Sequence, residues 1–204
     1  MPLSGGKTDM NALLRKAGVD AETVEAVISI DALMQNWRRR AMRRELGHRA
    51  LVELKVGIDL AQFDVLVAIE APAAQFGDSA GETMVATVAE RLGIDPSRAS
   101  RVVSEMVEAG YARRAVSQAD ARRTIIELTD AGRAIIEAVR AYKFLILGDF
   151  LSEWDKADVA RFVPLLRKFG QWPEHMEAGA TKFADDIALL AKQIAASRKQ
   201  AEPA

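Results

Sequence analysis

The sequence of 204 residues contains no cysteine, two histidines and no long apolar run. Without cysteine, disulfides, thiolate catalysis, zinc–cysteine sites and thiol-based redox sensing are excluded. His48 and His175 are far apart and neither has metal-ligand spacing around it, so no metal site is expected. No segment approaches the ~18 consecutive apolar residues of a membrane span, and the N-terminus lacks the apolar segment of a signal peptide. The sequence predicts a soluble, cytoplasmic protein without a cofactor.

The charge is low overall but uneven along the chain. The formal net charge is −1 and the pI is about 6.2, which is not typical of a nucleic-acid-binding protein. From Arg91 to Arg123, however, seven arginines stand against four acidic residues, which leaves a net charge of +3. Because salt screens charges beyond roughly 10 Å, the nearest face matters most for DNA binding. Enzymatic activity is not expected, since no nucleophile–base pair, metal set or phosphate loop is present.

The stretch IDPSRASRVVSEMVEAG, residues 94–110, predicts a helix with two different faces. Asp95 suits the N-cap, Pro96 the first helical position, and Gly110 the left-handed residue after the end. An apolar stripe recurs at helical spacing and comprises Ala99, Val102, Val103, Met106 and Val107. The opposite face carries Ser97, Ser100, Arg101 and Ser104. Serine is a poor helix former, so this face indicates either a solvated surface or one that fits the major groove of DNA.

Helices are predicted before this stretch as well. Ala21 to about His48 has the apolar spacing of a long amphipathic helix, and Leu60–Ala71 reads as a second helix ended by Pro72. The segment Pro72–Glu82 has the composition of a loop. Thr83 is expected to cap a short helix that ends at Gly93. Because the next helix begins two residues later, the pair has the arrangement of a helix-turn-helix.

A hairpin and further helices are predicted after it. The β-like runs 111–116 and 124–128 flank a polar tip, SQADARR. Thr129 is expected to cap a helix to about Leu151, and the apolar residues predicted for its buried face are Ala131, Ile135, Val139, Tyr142 and Ile146. Asp155 begins another helix, in which Pro164 predicts a kink or a break. Phe183, Ile187, Leu190 and Ile194 predict one more amphipathic helix in the tail.

The stretch VATVAERLGIDPSRASRVVSEMVEAGYARRAVSQADARRTIIELTDAGRAII resembles the core of the MarR family, bacterial transcriptional regulators of the multiple-antibiotic-resistance type. Asp120-Ala121-Arg122 stands where that family has an Asp-x-Arg wing. Residues 128–132 stand in place of its Leu-Thr-x-x-Gly motif. The resemblance covers about Val24 to Gly170. It implies a mainly α winged helix-turn-helix fold with a small β-hairpin wing, dimeric through N- and C-terminal dimerisation helices.

The resemblance also implies a function and a set of site residues. The implied function is a homodimeric, sequence-specific DNA-binding regulator, a repressor in the first instance, that binds a pseudo-palindromic operator and is released by a small aromatic or phenolic effector. Arg122 would contact the minor groove, Asp120 would orient it, and Arg123 would add charge. The candidates for major-groove contacts are Ser97, Arg98, Ser100, Arg101 and Ser104. Trp37, His48 and Phe63 would line an effector pocket, although aromatic residues at helical spacing are more often core.

The implied organisation has five parts. They are an N-terminal flexible segment 1–20, a dimerisation helix 21–56, the DNA-binding domain 57–128, dimerisation helices 129–172 and a helical tail 173–204. The tail would wrap the partner subunit, lie across the effector cleft or remain in solvent. Its apolar stripe is the argument for dimer packing, because such a stripe needs to be covered. The acidic pI and the tail leave a second hypothesis open, a dimeric winged-helix interaction module that does not read DNA.

Overall fold

A computed structural model describes residues 10–71 and 81–201 of the chain. Most of the loop expected at Pro72–Glu82 lies outside these residues. The chain divides into two compact units, which we call the winged-helix unit, Arg39–Ser152, and the terminal unit, Met1–Arg38 with Glu153–Ala204. Over the described ranges, no helix combines the length and apolar character that a membrane crossing requires.

The described residues form α-helices, one 3-10 helix and one hairpin. The helices are α1 Met10–Lys16, α2 Ala21–Arg43, α3 Glu45–Glu53, α4 Leu60–Glu70, α5 Val85–Leu92, α6 Pro96–Glu108, α7 Asp130–Ser152, α8 Lys156–Gly170, α9 Met176–Lys182 and α10 Ala184–Ala201, and the 3-10 helix is Trp172–His175. The strands are β1 Ala112–Val116 and β2 Thr124–Leu128, which pair antiparallel. This content confirms the predicted fold class, a mainly α winged helix with a β-hairpin wing.

The core of the winged-helix unit lies where α4, α5 and α6 pack against one another and against the hairpin. The largest fully buried side chains of this unit are Leu66, Met106, Val65, Val88, Val103 and Val139. Burial of each such side chain stabilises the fold by about 1.5–3 kcal/mol. The predicted apolar stripe of α6 is confirmed, since Ala99, Val102, Val103 and Met106 are buried.

The predicted long helix from Ala21 to about His48 is wrong at its C-terminal end. Helix α2 ends at Arg43 and α3 begins at Glu45, because Arg44 adopts a left-handed conformation with φ of 51°. The guanidinium of Arg44 makes two hydrogen bonds to the carboxylate of Asp64 in α4. Apolar spacing did not predict this break, and the ion pair that accompanies it joins residues 20 positions apart.

The N-cap predicted for the short helix α5 is also wrong. Met84 occupies the cap position, and Thr83 is buried one residue earlier. The hydroxyl of Thr83 accepts a hydrogen bond of 2.9 Å from Arg91, and its carbonyl accepts one of 2.7 Å from the N–H of Ile126. Thr83 therefore joins α5 to β2, a contact that a local sequence pattern does not show. The predicted end at Gly93 is confirmed, with φ of 61°.

Helix α7 is placed by a close approach to the hairpin. Thr129 caps it as predicted, since its hydroxyl accepts a 3.1 Å hydrogen bond from the N–H of Gly132. A Cβ at Gly132 would lie 2.1 Å from the carbonyl oxygen of Tyr111, so only glycine fits there. The predicted buried face of α7 is confirmed in part, because Val139 is buried and Ile135 and Tyr142 pack against the core. Gly132 and Ile136 are buried as well, while Ala131 and Ile146 are exposed.

The terminal unit consists of helices with few buried residues. Helix α8 begins after Asp155, which accepts a 2.7 Å hydrogen bond from the N–H of Ala157. The break predicted at Pro164 does not occur, because α8 runs through it to Gly170. The tail is helical as predicted, and α10 begins at Ala184. Helix α1 was not predicted, and Lys16 at its end lies 3.6 Å from the carboxylate of Asp186 in α10.

Candidate nucleic-acid interface

The N-terminus of α6 is fixed by Asp95, as the sequence predicts. The carboxylate of Asp95 accepts hydrogen bonds from the N–H of Ser97 at 2.8 Å and from the N–H of Arg98 at 3.3 Å. The hydroxyl of Ser97 donates to the same carboxylate. The Ser97 hydroxyl first, and then these backbone N–H groups, hold the pKa of Asp95 below its ordinary value. Ser97 thus contributes to the cap, a role that leaves its hydroxyl oxygen available as an acceptor.

The opposite face of α6 is polar and accessible. Ser97, Arg98, Ser100 and Arg101 are exposed, and Ser104 is half-buried. The guanidinium of Arg101 donates a 2.6 Å hydrogen bond to Glu105 one turn later. The other carboxylate oxygen of Glu105 accepts a 3.0 Å hydrogen bond from the side-chain amide of Gln62 in α4. Arg101 therefore leans towards the C-terminal half of α6, whereas no ion-pair partner of Arg98 is found among the described residues.

A hydrogen bond joins the hairpin to this face. The guanidinium of Arg114 on β1 donates a 3.1 Å hydrogen bond to the hydroxyl oxygen of Ser104. Its neighbour Arg113 points to the other side of the strand and pairs across the hairpin with Glu127 at 2.8 Å. The sequence analysis counted Arg114 in the basic segment but did not assign it to the site. The alternation of side chains along a strand was the available signal, since it places Arg113 and Arg114 on opposite faces.

The tip of the hairpin carries the other predicted site residues. Asp120 accepts a 3.0 Å hydrogen bond from the backbone N–H of Arg122 and lies 4.0 Å from the guanidinium of Arg123. The expectation that Asp120 orients the side chain of Arg122 is thus modified, because Asp120 holds the backbone of the turn. Within the part of the chain that the structure describes, the guanidinium of Arg122 has no side-chain partner. It is exposed and available for an anionic ligand.

The base of the wing contains two residues that the sequence analysis missed. Ser117 is buried, and its hydroxyl donates to the carboxylate of Glu82. The side chains are 35 positions apart in the sequence, so no local pattern could have linked them. Hydrogen bonds from Ser117 and from the N–H of Gln118, with the positive charge of Arg123, lower the pKa of Glu82. This carboxylate is therefore charged at neutral pH.

The three residues predicted for an effector pocket have different environments. Phe63 is buried in the core of the winged-helix unit, and Trp37 belongs to the terminal unit with 67% of its surface exposed. His48 lines an open groove of about 610 Å³ formed by the C-terminal half of α3 and the segment from Val56 to Ala61. The groove is mostly apolar, with Asp59 and His48 as its polar groups. The pocket assignment stays a prediction for all three residues.

The chemistry of the surface as a whole is that of an anion-binding face with small polar groups. Arginine guanidinium groups bind phosphate oxygens and the O6 and N7 atoms of guanine, and serine hydroxyls make shorter contacts to bases or phosphates. Among the residues that the structure describes, no cluster of three or more metal-ligating side chains is found.

Comparison with known proteins agrees with this geometry. Residues 56–123 match the sequence model of the MarR family, and none of the curated proteins compared matches the chain. A structure of RV1404 from Mycobacterium tuberculosis is similar, with a TM-score of 0.56 and 22% identity over 71% of this chain and 91% of that chain. A MarR family protein from Bacillus stearothermophilus gives a TM-score of 0.57 and 18% identity, with coverages of 74% and 96%. The structure of S. aureus MepR bound to ethidium bromide gives a TM-score of 0.50 and 18% sequence identity, over 66% of this chain and 92% of that chain. These matches confirm the resemblance to the MarR family.

Proposed function

We propose that this chain, which has the fold of the MarR-family transcriptional regulators, is a sequence-specific DNA-binding repressor. The observation that carries the proposal is the arrangement of α6 and the hairpin. The exposed serine and arginine face of α6 is joined to β1 by the 3.1 Å hydrogen bond from Arg114 to Ser104. A helix in the major groove with an arginine in the adjacent minor groove is a geometry that this arrangement fits.

The residues of the interface have separate roles in this proposal. Arg98 and Arg101 bind guanine bases or phosphates, while Ser97, Ser100 and Ser104 make the shorter contacts. Arg122 enters the minor groove, Asp120 holds the turn that carries it, and Arg123 adds positive charge. The winged-helix domain 57–128 supplies all of these residues. The segments 21–56 and 129–172 supply the dimer contacts, and the tail 173–204 extends them.

A homodimer is part of the proposal because the terminal helices expose many large apolar side chains. Exposed apolar patches mark interaction sites in soluble proteins. The exposed residues on α2 and α8 include Val27, Ile30, Leu33, Trp37, Val163 and Leu165. A second copy of the chain would cover them with matching surface, and two-fold symmetry would then place two recognition helices about 34 Å apart on a pseudo-palindromic operator.

The test is fluorescence anisotropy of the purified protein on DNA from upstream of its own coding region, with random duplex as the competitor, over a range of salt. We expect selective binding by ~10³-fold or more with a steep salt dependence. Weak and equal binding to a set of genomic and random duplexes would contradict the proposal and would favour the interaction module that does not read DNA.

Two arginine variants separate recognition of specific bases from general electrostatic attraction to DNA. Arg122→Ala should weaken binding to all duplexes and lower the salt slope by about 1, whereas Arg101→Ala should also relax sequence preference, by roughly 1–3 kcal/mol at one base pair. Arg15→Ala is the matched control, since Arg15 is an exposed arginine of α1 outside both the DNA interface and the proposed dimer segments. Equal losses on specific and random duplexes for Arg101→Ala would contradict its base-reading role.

The effector is proposed to be a small aromatic or phenolic compound. The support is the mostly apolar groove beside His48, together with the ethidium seen in the MepR structure. An effector releases DNA only to the extent that it binds better to the state that does not bind DNA. Titration of phenolic acids and aromatic cations into the anisotropy assay should identify compounds that release the duplex, and His48→Ala should weaken their effect. A release that is unchanged in His48→Ala would place the effector elsewhere.

A further inference from the structure

The base of the wing is tied to the helix-turn-helix by one carboxylate. Glu82, which lies three residues before α5, accepts a hydrogen bond from the hydroxyl of Ser117 and one of 2.8 Å from the N–H of Gln118. Both donors lie where β1 passes into the wing tip. The positive charge of Arg123, at the other end of the tip, also lowers the pKa of Glu82. Glu82 thus binds the first end of the tip directly, and a 3.0 Å hydrogen bond from the N–H of Ser117 to the carbonyl oxygen of Arg123 joins that end to the other.

Ser117 passes this restraint on to the tip itself. Its side chain is buried, with 4% of the residue surface exposed, and its oxygen accepts hydrogen bonds from the N–H groups of Ala119 at 3.1 Å and Asp120 at 3.0 Å. The carboxylate of Asp120 in turn accepts the N–H of Arg122 at 3.0 Å. A continuous series of hydrogen bonds therefore runs from Glu82 to the backbone of Arg122.

The backbone next to Glu82 is itself held in place. The carbonyl oxygen of Thr83 accepts a hydrogen bond from the N–H of Ile126 in β2, and its hydroxyl accepts one from Arg91. Arg91 also donates a 2.8 Å hydrogen bond to the carbonyl oxygen of Ala68 near the end of α4. The anchor of the wing is thereby fixed to α4, α5 and β2 at once. A restraint attached to so many elements can preset the position of the tip before any ligand arrives.

We propose that Glu82 is a positioning residue for DNA binding, which acts through Ser117 to hold the Arg122 tip in its binding conformation. This inference rests on the proposed function. Preorganisation of this kind strengthens binding because the cost of ordering the loop is met during folding. Glu82 touches no DNA in this proposal, and its negative charge by itself would oppose DNA binding.

Glu82→Gln gives a sharp test, because removal of the negative charge and loss of the positioning contact should change the affinity for DNA in opposite directions. The hydroxyl oxygen of Ser117 has two acceptor sites, and the N–H groups of Ala119 and Asp120 occupy both. The amide oxygen of glutamine can replace only one of the two carboxylate oxygens that bind the Ser117 hydroxyl and the Gln118 N–H, and its NH₂ group then faces the other donor. The anchor therefore loses at least one of its two hydrogen bonds although the size of the side chain is kept. Removal of one negative charge alone should tighten binding slightly, whereas loss of positioning should weaken it by about tenfold, as for the loss of a charged hydrogen bond.

Two comparison variants complete the anisotropy experiment. Glu108→Gln removes the same charge from an exposed position at the end of α6, so we expect unchanged or slightly tighter binding. Ser117→Ala removes the hydroxyl without changing charge and should weaken binding as Glu82→Gln does. In an Arg122→Ala background Glu82→Gln should cost little, since it acts through that side chain. Full, independent losses for Glu82→Gln and Arg122→Ala would overturn the proposal.

A measurement without DNA distinguishes failure of this inference from failure of the proposed function. Amide hydrogen exchange of Ala119 and Asp120, followed by NMR in the free protein, should be at least several-fold faster in Glu82→Gln than in Glu108→Gln. Thermal melting of both variants shows whether the unit remains folded. Unchanged exchange at the tip would overturn the positioning role. Faster exchange in a protein whose wild type binds no duplex would leave the wing restraint in place and reject only DNA binding.

Discussion

Helices α6 and α8 have similar amphipathic sequences but bury their apolar residues to very different extents. In α6, Ala99, Val102, Val103 and Met106 are all buried within the winged-helix unit. In α8, none of the described residues is buried, and Leu165 has 63% of its surface exposed. An apolar stripe therefore predicts that a helix has a face to cover, but not which molecule covers it. For α8 we propose a second copy of the chain.

The largest expected effect in this comparison comes from the tightest contact of the winged-helix unit. Gly132→Ala would place a Cβ 2.1 Å from the carbonyl oxygen of Tyr111. The oxygen is a backbone atom, so α7 and the hairpin would have to separate, and overpacking of this severity costs more than ~3 kcal/mol. We expect the unit to lose its cooperative urea unfolding transition, as followed by circular dichroism.

The matched control for this substitution lies on the same helix. A Cβ at Gly148 would meet no atom within 4 Å. Gly148→Ala should therefore be neutral or stabilise the helix by up to ~1 kcal/mol, because alanine is the better helix former. A Gly132→Ala protein that unfolds with wild-type stability would contradict the close packing of α7 on the hairpin.

A pair of leucine substitutions tests the comparison directly. Leu66 is fully buried in α4, so Leu66→Ala should lower the free energy of unfolding by roughly 2–5 kcal/mol. Leu165→Ala in α8 should change the stability of the dilute monomer by less than about 0.5 kcal/mol, as expected at exposed positions. Urea unfolding at low protein concentration measures both values.

The same leucine should matter when two copies associate. If α8 packs against a second copy, Leu165→Ala should raise the dimer dissociation constant by about tenfold, since the lost burial is worth ~1.5 kcal/mol. Val116→Ala removes an exposed apolar side chain from β1 of the winged-helix unit, outside the proposed dimer segments, and serves as the control. Sedimentation equilibrium that gives one dissociation constant for all three proteins would place the interface elsewhere.

The smallest expected effect is a pH dependence at helix starts in both units. The pKa values of Asp95 before α6 and Asp20 before α2 lie below the ordinary value of 3.8, chiefly through hydroxyl hydrogen bonds from Ser97 and Thr23. Each carboxylate therefore stabilises the fold at pH values above 3.8, and this contribution is lost as the pH falls through the lower folded-state pKa.

Asparagine caps helices about as well as aspartate but does not titrate in this range. Asp95→Asn should therefore show a smaller loss of melting temperature than wild type as the pH is lowered from about 5 to 2. Asp149→Asn, which removes an exposed carboxylate within α7, is the control. Melting curves of wild type and Asp95→Asn that fall in parallel would contradict the role of the Asp95 charge at this cap.

Much of the winged-helix unit could be predicted from the sequence because its signals are local. Asp95, Pro96 and Gly110 define the ends of α6 within 16 residues, and the two β-like runs define the hairpin. Contacts between distant residues could not be predicted in the same way. The break at Arg44 is accompanied by an ion pair with the distant Asp64, and the wing anchor depends on Glu82 meeting Ser117.

For the predicted site residues, too, local signals predict exposure but not the contacts with other residues. The exposure of Ser97, Arg98, Ser100 and Arg101 follows from helix periodicity, since the buried stripe fixes the opposite face. The partners of these side chains do not follow from it. Neither Glu105 nor Arg114 was assigned to the site, although each contacts one of its members. Periodicity gives the direction of a side chain, whereas its hydrogen bonds depend on rotamers and on neighbouring elements.

Because Arg101 already forms an ion pair with Glu105, any new acceptor that binds the Arg101 guanidinium has to replace the Glu105 carboxylate. An incoming acceptor has to displace a carboxylate that already binds the guanidinium at 2.6 Å. Glu105 would not be left without a donor after the exchange, because the amide of Gln62 still binds its other oxygen. Weak or poorly aligned acceptors therefore gain little from Arg101, while a well-aligned pair of acceptors can replace Glu105. Competition with Glu105 would therefore let Arg101 discriminate between weak and well-aligned acceptors.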